Sequence, residues 1–376
     1  MTMSASSFRN ALPFWASLAL PPLAWAGAVF GGWALLLVPL FALVLSSLLD
    51  ALLGEDRTSP EKDEASQGQL FWHRVITLIW TPIQFVTLFS LITFIATADH
   101  LAVWEVMMAT YCLGLITGGV GIVYAHELMH KSSRLERWLG DIQLAMVMYG
   151  HYRSEHLLVH HPFVGTPRDT VTARYNEGFH RFFWRVPKAG LISAWQAETK
   201  RLGGRKLSHW HFSNPFWRYA ALQLGFLALA AFLGGWIGLL IFLGQAFVAI
   251  WLLELINYIE HYGLTRKHLG DGQYEHQRKH HSWDCAQRAT GWLLINVQRH
   301  SDHHYRPNKR YPLLQVFDED EAPQLPFGYP IMGALAMIPP LWRRRMNPRV
   351  RAWRKRFYPE ISDWTAYNLG KTPMPE

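Results

Sequence analysis

Long segments without charged residues divide this chain. Asp, Glu, Lys and Arg are absent between Arg9 and Asp50, and again from residues 75–98, 106–125 and 219–253. A helix needs about 20 apolar residues to cross the hydrocarbon core of a bilayer. The first and last of these segments are long enough for two crossings each, with paired glycines at the break. The pattern predicts six transmembrane helices, at about residues 11–30, 32–50, 75–98, 104–126, 217–234 and 236–258.

One more uncharged segment, residues 322–342, is predicted to lie against the membrane face instead of crossing it. It contains five prolines, and proline costs about 3 kcal/mol inside a helix. The predicted fold is therefore one all-α integral membrane domain over residues 1–376. Polar segments 126–215 and 259–376 form a histidine-rich helical cap. The N-terminal apolar run continues into a second span, which is not typical of a cleaved signal peptide.

Basic residues are concentrated on one side of the predicted membrane. Most of the 36 Lys and Arg residues fall in the two cap segments, and the loops after the first, third and fifth spans have none. Because positively charged loops stay in the cytoplasm, both termini and the cap are predicted on the cytoplasmic side of the inner membrane. The formal charge of +8 reflects this topology signal or, alternatively, a docking surface for an acidic protein.

Two classes of protein are disfavoured by composition. The chain has only two cysteines, Cys112 and Cys285, and the first lies inside a predicted span, which argues against disulfides and thiolate metal sites. The basic residues follow the membrane topology and form no nucleic-acid-binding motif, so no nucleic-acid partner is expected.

Histidines provide the candidate chemistry, since 17 of the 19 lie between His126 and His304. They occur in the groups HELMH, EHLLVHH, YIEHYG and QRHSDHH. Residues four apart on a helix share a face. His126 with His130, and His156 with His160, are therefore each predicted to hold one metal ion. The adjacent His161 points about 100° away around the helix and is predicted to reach a second ion.

Other interpretations of these groups exist. HELMH also matches the zinc-protease pattern HExxH, with Glu127 as the general base. Imidazole-rich groups suit iron, copper or zinc, and this many ligands favours two ions over one. A metal transporter would place its ligands at mid-membrane, whereas these gather at one face. The segment YEHQRKHH has the same HxxxHH spacing at His276, His280 and His281 as the group ending at His161, and spacing alone does not rank the two.

The four boxes taken in order resemble those of the membrane-bound alkane monooxygenases, within the wider membrane fatty acid desaturase and hydroxylase group. The boxes are HELMHK at 126–131, EHLLVHH at 155–161, NYIEHYGL at 257–264 and QRHSDHH at 298–304. The similarity extends to residues 48–56, 271–283 and 328–342. The resemblance implies six membrane helices and O₂-dependent hydroxylation of a terminal methyl group at a di-iron centre. Electrons would come from a rubredoxin-type donor with an NAD(P)H-dependent reductase.

The resemblance also ranks the histidines. The implied ligands of the two iron ions are His126, His130, His156, His160, His161, His261, His300, His303 and His304. The resemblance implies that His276, His280 and His281 either surround the ligands without binding iron or hold their loop in place. Some of the carboxylates next to the ligands are expected to accept the outer ring N–H of a histidine and so fix its tautomer. These carboxylates are Glu127, Glu155, Glu260 and Asp302.

The sequence predicts the class of substrate less specifically than it predicts the ligands of the metal centre. The family's second box usually reads EHNxGHH, and this chain has Leu157, Leu158 and Val159 between the histidines. A desaturase, or a hydroxylase of lipids or alkyl-aromatic molecules, is therefore an alternative to an alkane hydroxylase. In the second predicted span, Ala42 and Ser46 are small residues four apart. They either allow close helix packing or border a tunnel for a long apolar substrate.

Overall fold

The computed structural model describes residues 5–60 and 69–375. Within these residues the regular secondary structure is helical apart from one small antiparallel hairpin, formed by β1 (His268–Gly270) and β2 (Gln273–Tyr274), and loops connect the helices. The prediction of an all-helical membrane protein is confirmed at this level. Five helices are long and apolar enough to cross a membrane: α1 (Phe8–Phe30), α2 (Gly32–Leu53), α3 (Phe71–Thr97), α4 (Val103–Met129) and α8 (Phe216–His261).

The remaining helices are shorter or more polar. They are α5 (Arg134–Met146), α6 (residues 152–163), α7 (Phe179–Gly203), α9 (Arg288–Leu293), α10 (His300–Tyr305), α11 (Tyr329–Ala336), α12 (Pro339–Phe357) and α13 (Thr365–Leu369). Short 3₁₀ turns occur at Lys279–His281 and Tyr311–Leu313. The proline-rich segment holds only the eight-residue α11 and the start of α12. Eight residues span roughly 12 Å, too short to cross a bilayer.

The chain reverses direction within α8. Gly235 has φ 57° and ψ −145°, outside the helical region. A Cβ placed on Gly238 would lie 2.6 Å from the carbonyl oxygen of Ala230. Eight residues along a straight helix would separate these positions by roughly 12 Å, so the two halves fold back on each other. Gly31, between α1 and α2, has a similar conformation, with φ 61° and ψ −162°.

Three of the helices contain a π-helical segment. These segments are Leu40–Leu45 in α2, Thr117–Ile122 in α4 and His156–His160 in α6. A π-helix bonds residue i to i+5, so it shifts every later side chain around the helix relative to α-helical expectation. The last two segments lead into or carry histidines of the candidate site, and their altered register decides which side chains meet there.

Small residues let α4 and α8 pack closely. A Cβ on Gly118 would lie 2.5 Å from the Cα of Ala249, and one on Gly114 would lie 2.4 Å from Val248. Contacts of this kind are typical of helix pairs in membranes. A hydrogen bond of 2.6 Å from Thr117 to Gln245 joins the same two helices. This packing brings the end of α4 and the end of α8 to one place.

Candidate metal centre

The nine histidines of the four boxes lie together in two adjoining groups. The first group contains five residues, His126, His130, His156, His161 and His303. The second contains four, His160, His261, His300 and His304. Within each group, the ligand nitrogens all lie within 4.8 Å of one another. The rings of His161 and His304, from different groups, are 4.6 Å apart at their centroids.

The last turns of α4 and α8 supply three of these side chains. His126 lies at the end of α4 and His130 directly follows it, one turn further on. Both therefore face the same side, as their spacing predicts. His261 is the last residue of α8. The end of α4 therefore contributes to the group of five, and the end of α8 contributes to the group of four. The packing of the two helices holds these ends together.

The predicted pairing within the second box is wrong. His156 shares its group with His161, and His160 belongs to the other group. The cause is the π-helical segment His156–His160, in which the N–H of His161 bonds to the carbonyl of His156. Residues five apart share a face there, whereas the prediction assumed the i, i+4 geometry of an α-helix.

Helix α10 contributes to both groups from a single turn. His300 and His304, four apart, belong to the group of four, and His303 belongs to the group of five. Because α6 and α10 each supply ligands to both groups, neither group can form without the other's supporting helices. The two groups are therefore parts of one centre.

The approach of the ring nitrogens fits metal ligation. The Nε2 atom of His156 lies 3.0 Å from Nε2 of His126, 3.0 Å from Nε2 of His130 and 2.9 Å from Nε2 of His161. A neutral imidazole has a single N–H, so hydrogen bonds do not account for three such neighbours. Two nitrogens bound at right angles, each about 2.1 Å from one ion, lie about 3.0 Å apart. The donor set therefore fits metal ions.

Burial keeps these rings in the state that metals require. It lowers the pKa of His130, His156, His161, His300, His303 and His304 well below the usual value, and neighbouring histidines lower it further. A ligand imidazole must be neutral. These six side chains therefore need no deprotonation at neutral pH before they bind a metal.

Asp169 orients one of the histidines, a role that the sequence did not reveal. Its Oδ2 atom lies 3.1 Å from Nδ1 of His160 and accepts a hydrogen bond of 2.6 Å from Thr172. Burial raises the pKa of Asp169, but His160 and Thr172 outweigh it and hold the pKa below its usual value. His160 therefore donates from Nδ1 and keeps Nε2 free for an ion. The position of Asp169 in the sequence shows no periodic relation to His160 that would predict this contact.

Two of the carboxylates next to candidate ligands, Glu127 and Asp302, contact groups other than a histidine ring. Glu127 lies 3.1 Å from Lys131 Nζ and 3.9 Å from Arg310 Nη1. Asp302 accepts hydrogen bonds from Lys309 Nζ and from the backbone N–H of Gln315. Glu155 is buried and borders a small hollow beside Glu254. Adjacent residues on a helix point in different directions, which explains why Glu127 and Asp302 contact other groups.

Glu260 approaches a histidine from an unexpected side. Its Oε2 atom lies 3.3 Å from Nε2 of His300, the nitrogen that faces the group of four, and not from the outer Nδ1. Tyr329 donates a hydrogen bond of 2.6 Å to the other carboxylate oxygen, Oε1. Glu260 is therefore not one of the carboxylates that accept an outer ring N–H. The carboxylate instead lies beside Nε2 of His300, on the side of the ring that faces the other histidines of its group.

The competing HxxxHH segment forms a separate cluster. His280 and His281 place Nε2 at 3.1 Å and 2.7 Å from the hydroxyl of Tyr358, which donates to Glu275. Trp353 donates to the carbonyl of His280, so the cluster fastens α12 to this segment. His276 is exposed. These contacts match the predicted role in loop ordering, and the structure separates this cluster from the nine histidines.

An apolar cavity of about 280 Å³ leads to the histidines. Its lining includes His126 from one group and His300 from the other, together with Glu260. Ala42 lines the cavity, and Ser46 does not. The hydroxyl of Ser46 instead donates to the carbonyl of Ala42 at 2.7 Å. Ala42 lies in a π-helical segment, where residues four apart no longer share a face.

The altered residues of the second box lie away from this cavity. Leu157, Leu158 and Val159 are absent from its lining. Val159 borders a different hollow, beside Pro167 and Arg168. The histidines of this π-helical turn, His156, His160 and His161, are likewise absent from the lining. The altered residues of the second box therefore do not shape this cavity.

Comparison with known proteins decides the family. The fatty acid desaturase family matches residues 101–336. Alkane 1-monooxygenase 1 of Pseudomonas aeruginosa is 39% identical over 313 residues, which cover 82% of this chain and 81% of that protein. The chain belongs to the alkane 1-monooxygenase family. It is therefore a membrane enzyme, and the resemblance of the four boxes is confirmed.

Further relatives of this alkane 1-monooxygenase family member extend over most of the chain. Alkane 1-monooxygenase 2 of Alcanivorax borkumensis is 36% identical over 361 residues, covering 91% of this chain and 90% of that protein. The xylene/toluene monooxygenase hydroxylase component XylM of Pseudomonas putida is 26% identical over 297 residues, 78% of each chain. Membership in the family implies an iron centre, and the two histidine groups are clusters that could hold metal ions.

Proposed function

We propose that this protein hydroxylates the terminal methyl group of an alkane or a similar long apolar molecule, with O₂ as co-substrate. The observation that carries the proposal is the cavity. It is apolar, and both histidine groups border it, through His126 and His300. An apolar chain inside it has one end beside both groups. The names of the relatives in Pseudomonas and Alcanivorax support the same reaction.

The nine histidines are proposed as ligands of two iron ions. Five imidazoles would hold one ion and four the other. When bound, the irons supply the reductive activation of O₂ that hydroxylation of an unactivated C–H bond needs. The chain's own contribution is to hold neutral imidazoles in place, through Asp169 at His160, and to exclude water from the apolar cavity. Glu260, fixed by Tyr329, offers a buried carboxylate at the junction of cavity and centre.

Six membrane crossings are proposed, with the termini and the histidine cap on the cytoplasmic side of the inner membrane. The reversal at Gly235 supports two crossings within α8, which would join the four crossings of α1 to α4. The concentration of Lys and Arg in the cap segments supports the orientation. In this arrangement the helix ends that carry His126 and His261 face the same side of the membrane, where the nine histidines lie together.

A rubredoxin-type protein, reduced by an NAD(P)H-dependent reductase, is proposed as the electron donor. The exposed side of α12 supports a small acidic partner, since it carries Arg344, Arg345, Arg351, Lys355 and Arg356. Complementary charge speeds association and orients the partner. The opposite side of α12 packs through Trp342, Met346 and Trp353, so this basic surface is fixed to the cap.

Metal content tests the proposal directly. The purified protein is expected to hold about two iron ions per chain, because nine imidazoles exceed the needs of one ion. Elemental analysis is joined to product identification with an alkane mixture, O₂ and a reducing partner. Terminal alcohols support the proposal. One zinc ion with no iron would contradict it and favour the zinc-protease interpretation of HELMH.

Product identification also separates the related activities. A desaturase would yield alkenes or unsaturated lipids from the same centre. An alkyl-aromatic hydroxylase, suggested by the similarity to the xylene/toluene enzyme, would yield benzylic alcohols. Toluene and xylene therefore belong in the substrate panel beside the alkanes, at the same iron loading.

A bulky side chain at position 42 is expected to shift the preference of the enzyme towards shorter alkanes. Ala42→Trp adds volume to a residue that lines the cavity, and close-packed interiors leave little room for adjustment. Activity on the longest accepted alkanes should fall at least about tenfold relative to short ones, since pockets discriminate to this degree by a methylene or more. The measurement is a product profile across chain lengths at matched iron content.

Val44→Trp is the matched control. Val44 lies two residues further along the same helix and is 48% exposed, away from the cavity. The same bulky side chain there should leave the product profile unchanged. If both variants give the wild-type profile, Ala42 is a packing residue and not part of the substrate tunnel.

A further inference from the structure

Tyr111 stands between two apolar hollows of the structure. It lines the cavity that leads to the histidines, and it also lines a second hollow of about 620 Å³. The second hollow lies where α2 begins, beside Gly32 and Trp33, and beside Trp104 and Met107 of α4. The side chain of Tyr111 is therefore the part of the wall that the two spaces share.

One face of α4 runs through both spaces. The cavity is lined by Leu115, Gly118, Gly119, Ile122, Val123 and His126, which recur at the spacing of a single helix face. The same face continues in the other direction to Met108, Met107 and Trp104, which line the second hollow. Tyr111 interrupts this stripe. The distance from His126 to Tyr111 is roughly 22 Å along the helix.

The two sides of Tyr111 differ in their exposure. Gly119, on the cavity side, has no atom within 4 Å of an added Cβ, so this face of α4 meets open space. On the other side, Trp33, Trp104 and Met107 are all exposed. In a membrane protein these side chains face lipid. An alkyl chain that passed Tyr111 would leave the cavity beside the histidines and enter a groove open to the bilayer.

An ordinary membrane-anchoring role does not describe Tyr111. Aromatic anchors lie at the interface between membrane and water. Trp104 occupies that position, one residue after the start of α4, whereas Tyr111 lies roughly 12 Å deeper along the helix. Among residues 5–60 and 69–375, no hydrogen bond holds its hydroxyl. The ring is thus placed by packing and not by a polar anchor.

We propose that Tyr111 closes the far end of the substrate cavity and thereby sets the upper limit of chain length. This inference rests on the proposed function, because it assigns one end of the substrate to the histidines. The ring volume is the barrier. Removal of the ring joins the cavity to the second hollow, so that the distal end of a longer chain extends into the lipid-facing groove.

Tyr111→Ala is expected to raise activity on alkanes longer than the wild-type limit. Each further methylene that finds apolar surroundings should raise kcat/KM by about fourfold, until the chain reaches lipid. Tyr111→Phe keeps the ring and should keep the wild-type limit. Tyr111→Leu should shift the limit in the same direction by less, and it serves if the alanine variant does not fold. Iron content and melting temperature are measured for each.

Met108→Ala is the matched control, because Met108 lines the second hollow and not the cavity. Its chain-length limit should equal that of the wild type. An unchanged limit in Tyr111→Ala or Tyr111→Leu at full iron content would overturn the proposal. An equal shift in Tyr111→Phe would also overturn it, since the hydroxyl and not the ring would then be responsible.

A binding measurement separates this inference from the proposed reaction. A bound alkane raises the melting temperature whether or not it is oxidised. The chain length of greatest stabilisation should increase in Tyr111→Ala. If the iron-loaded wild type oxidises no alkane but this maximum still moves, the proposed function fails and the role of Tyr111 stands. If oxidation occurs and the maximum does not move, the role of Tyr111 fails alone.

Discussion

His160→Ala and His303→Ala are each expected to abolish hydroxylation and to lower the iron content of the purified protein. The two residues belong to different histidine groups, yet each lies on a helix that supplies ligands to both. Loss of one imidazole leaves an ion without a ligand and leaves its neighbours unsupported. The expected result is loss of nearly all activity, with iron well below two per chain. Elemental analysis and a product assay on the same preparation measure both effects.

His280→Ala is the control for this pair. His280 has the same HxxxHH context but contacts Tyr358 and stacks on Phe357, with ring centroids 4.2 Å apart. Its removal should lower the melting temperature by loosening α12 while most of the iron stays bound. An iron loss in His280→Ala as complete as that in His160→Ala would show that the ligands are assigned to the wrong box.

Asp169→Asn is expected to weaken iron binding or activity by roughly 10–100-fold, the usual effect of losing a partner that orients a ligand histidine. The substitution keeps the volume of the side chain but removes the negative charge beside Nδ1 of His160. The imidazole then becomes a weaker donor and its tautomer is no longer fixed. Iron content after dialysis against a graded series of chelator concentrations gives the affinity, independently of turnover.

Asp302→Asn is the matched comparison. Asp302 is equally buried and lies between two candidate ligands in sequence, but its carboxylate bonds to Lys309 and Gln315. This variant should lose stability and keep its iron affinity. The opposite outcome, with iron lost from Asp302→Asn and retained by Asp169→Asn, would reverse the assignment of the orienting carboxylate.

The sequence predicted the centre better than its internal arrangement. The nine histidines of the boxes lie together in the structure because each box lies at a helix end or on a short helix near the same face. The uncharged segments predicted the membrane helices because length and hydropathy alone determine whether a helix suits a bilayer. These features depend on local composition, which the sequence displays directly.

The misses have a common physical origin. The division of His156, His160 and His161 between the groups depends on a π-helical turn, which residue spacing does not encode. Asp169 reaches His160 through a loop, so no periodicity relates the two residues. Glu127 and Asp302 are neighbours of candidate ligands in sequence, but adjacent helical residues point in different directions. Contacts set by loop paths and helix register require the folded structure.

The π-helical turn of α6 also matters to anyone who rebuilds this centre in a designed scaffold. A straight α-helix carrying the same letters, HLLVHH, would direct His156 and His160 to one ion and His161 elsewhere. A designer who copies the motif onto ideal helices would therefore obtain a different division of ligands from the same residues. Deletion of a single residue between His156 and His160 would relax the turn to an α-helix and place His156 and His161 four apart, the spacing that shares a face of an α-helix. The number of residues between these histidines must therefore match the type of helix in the scaffold.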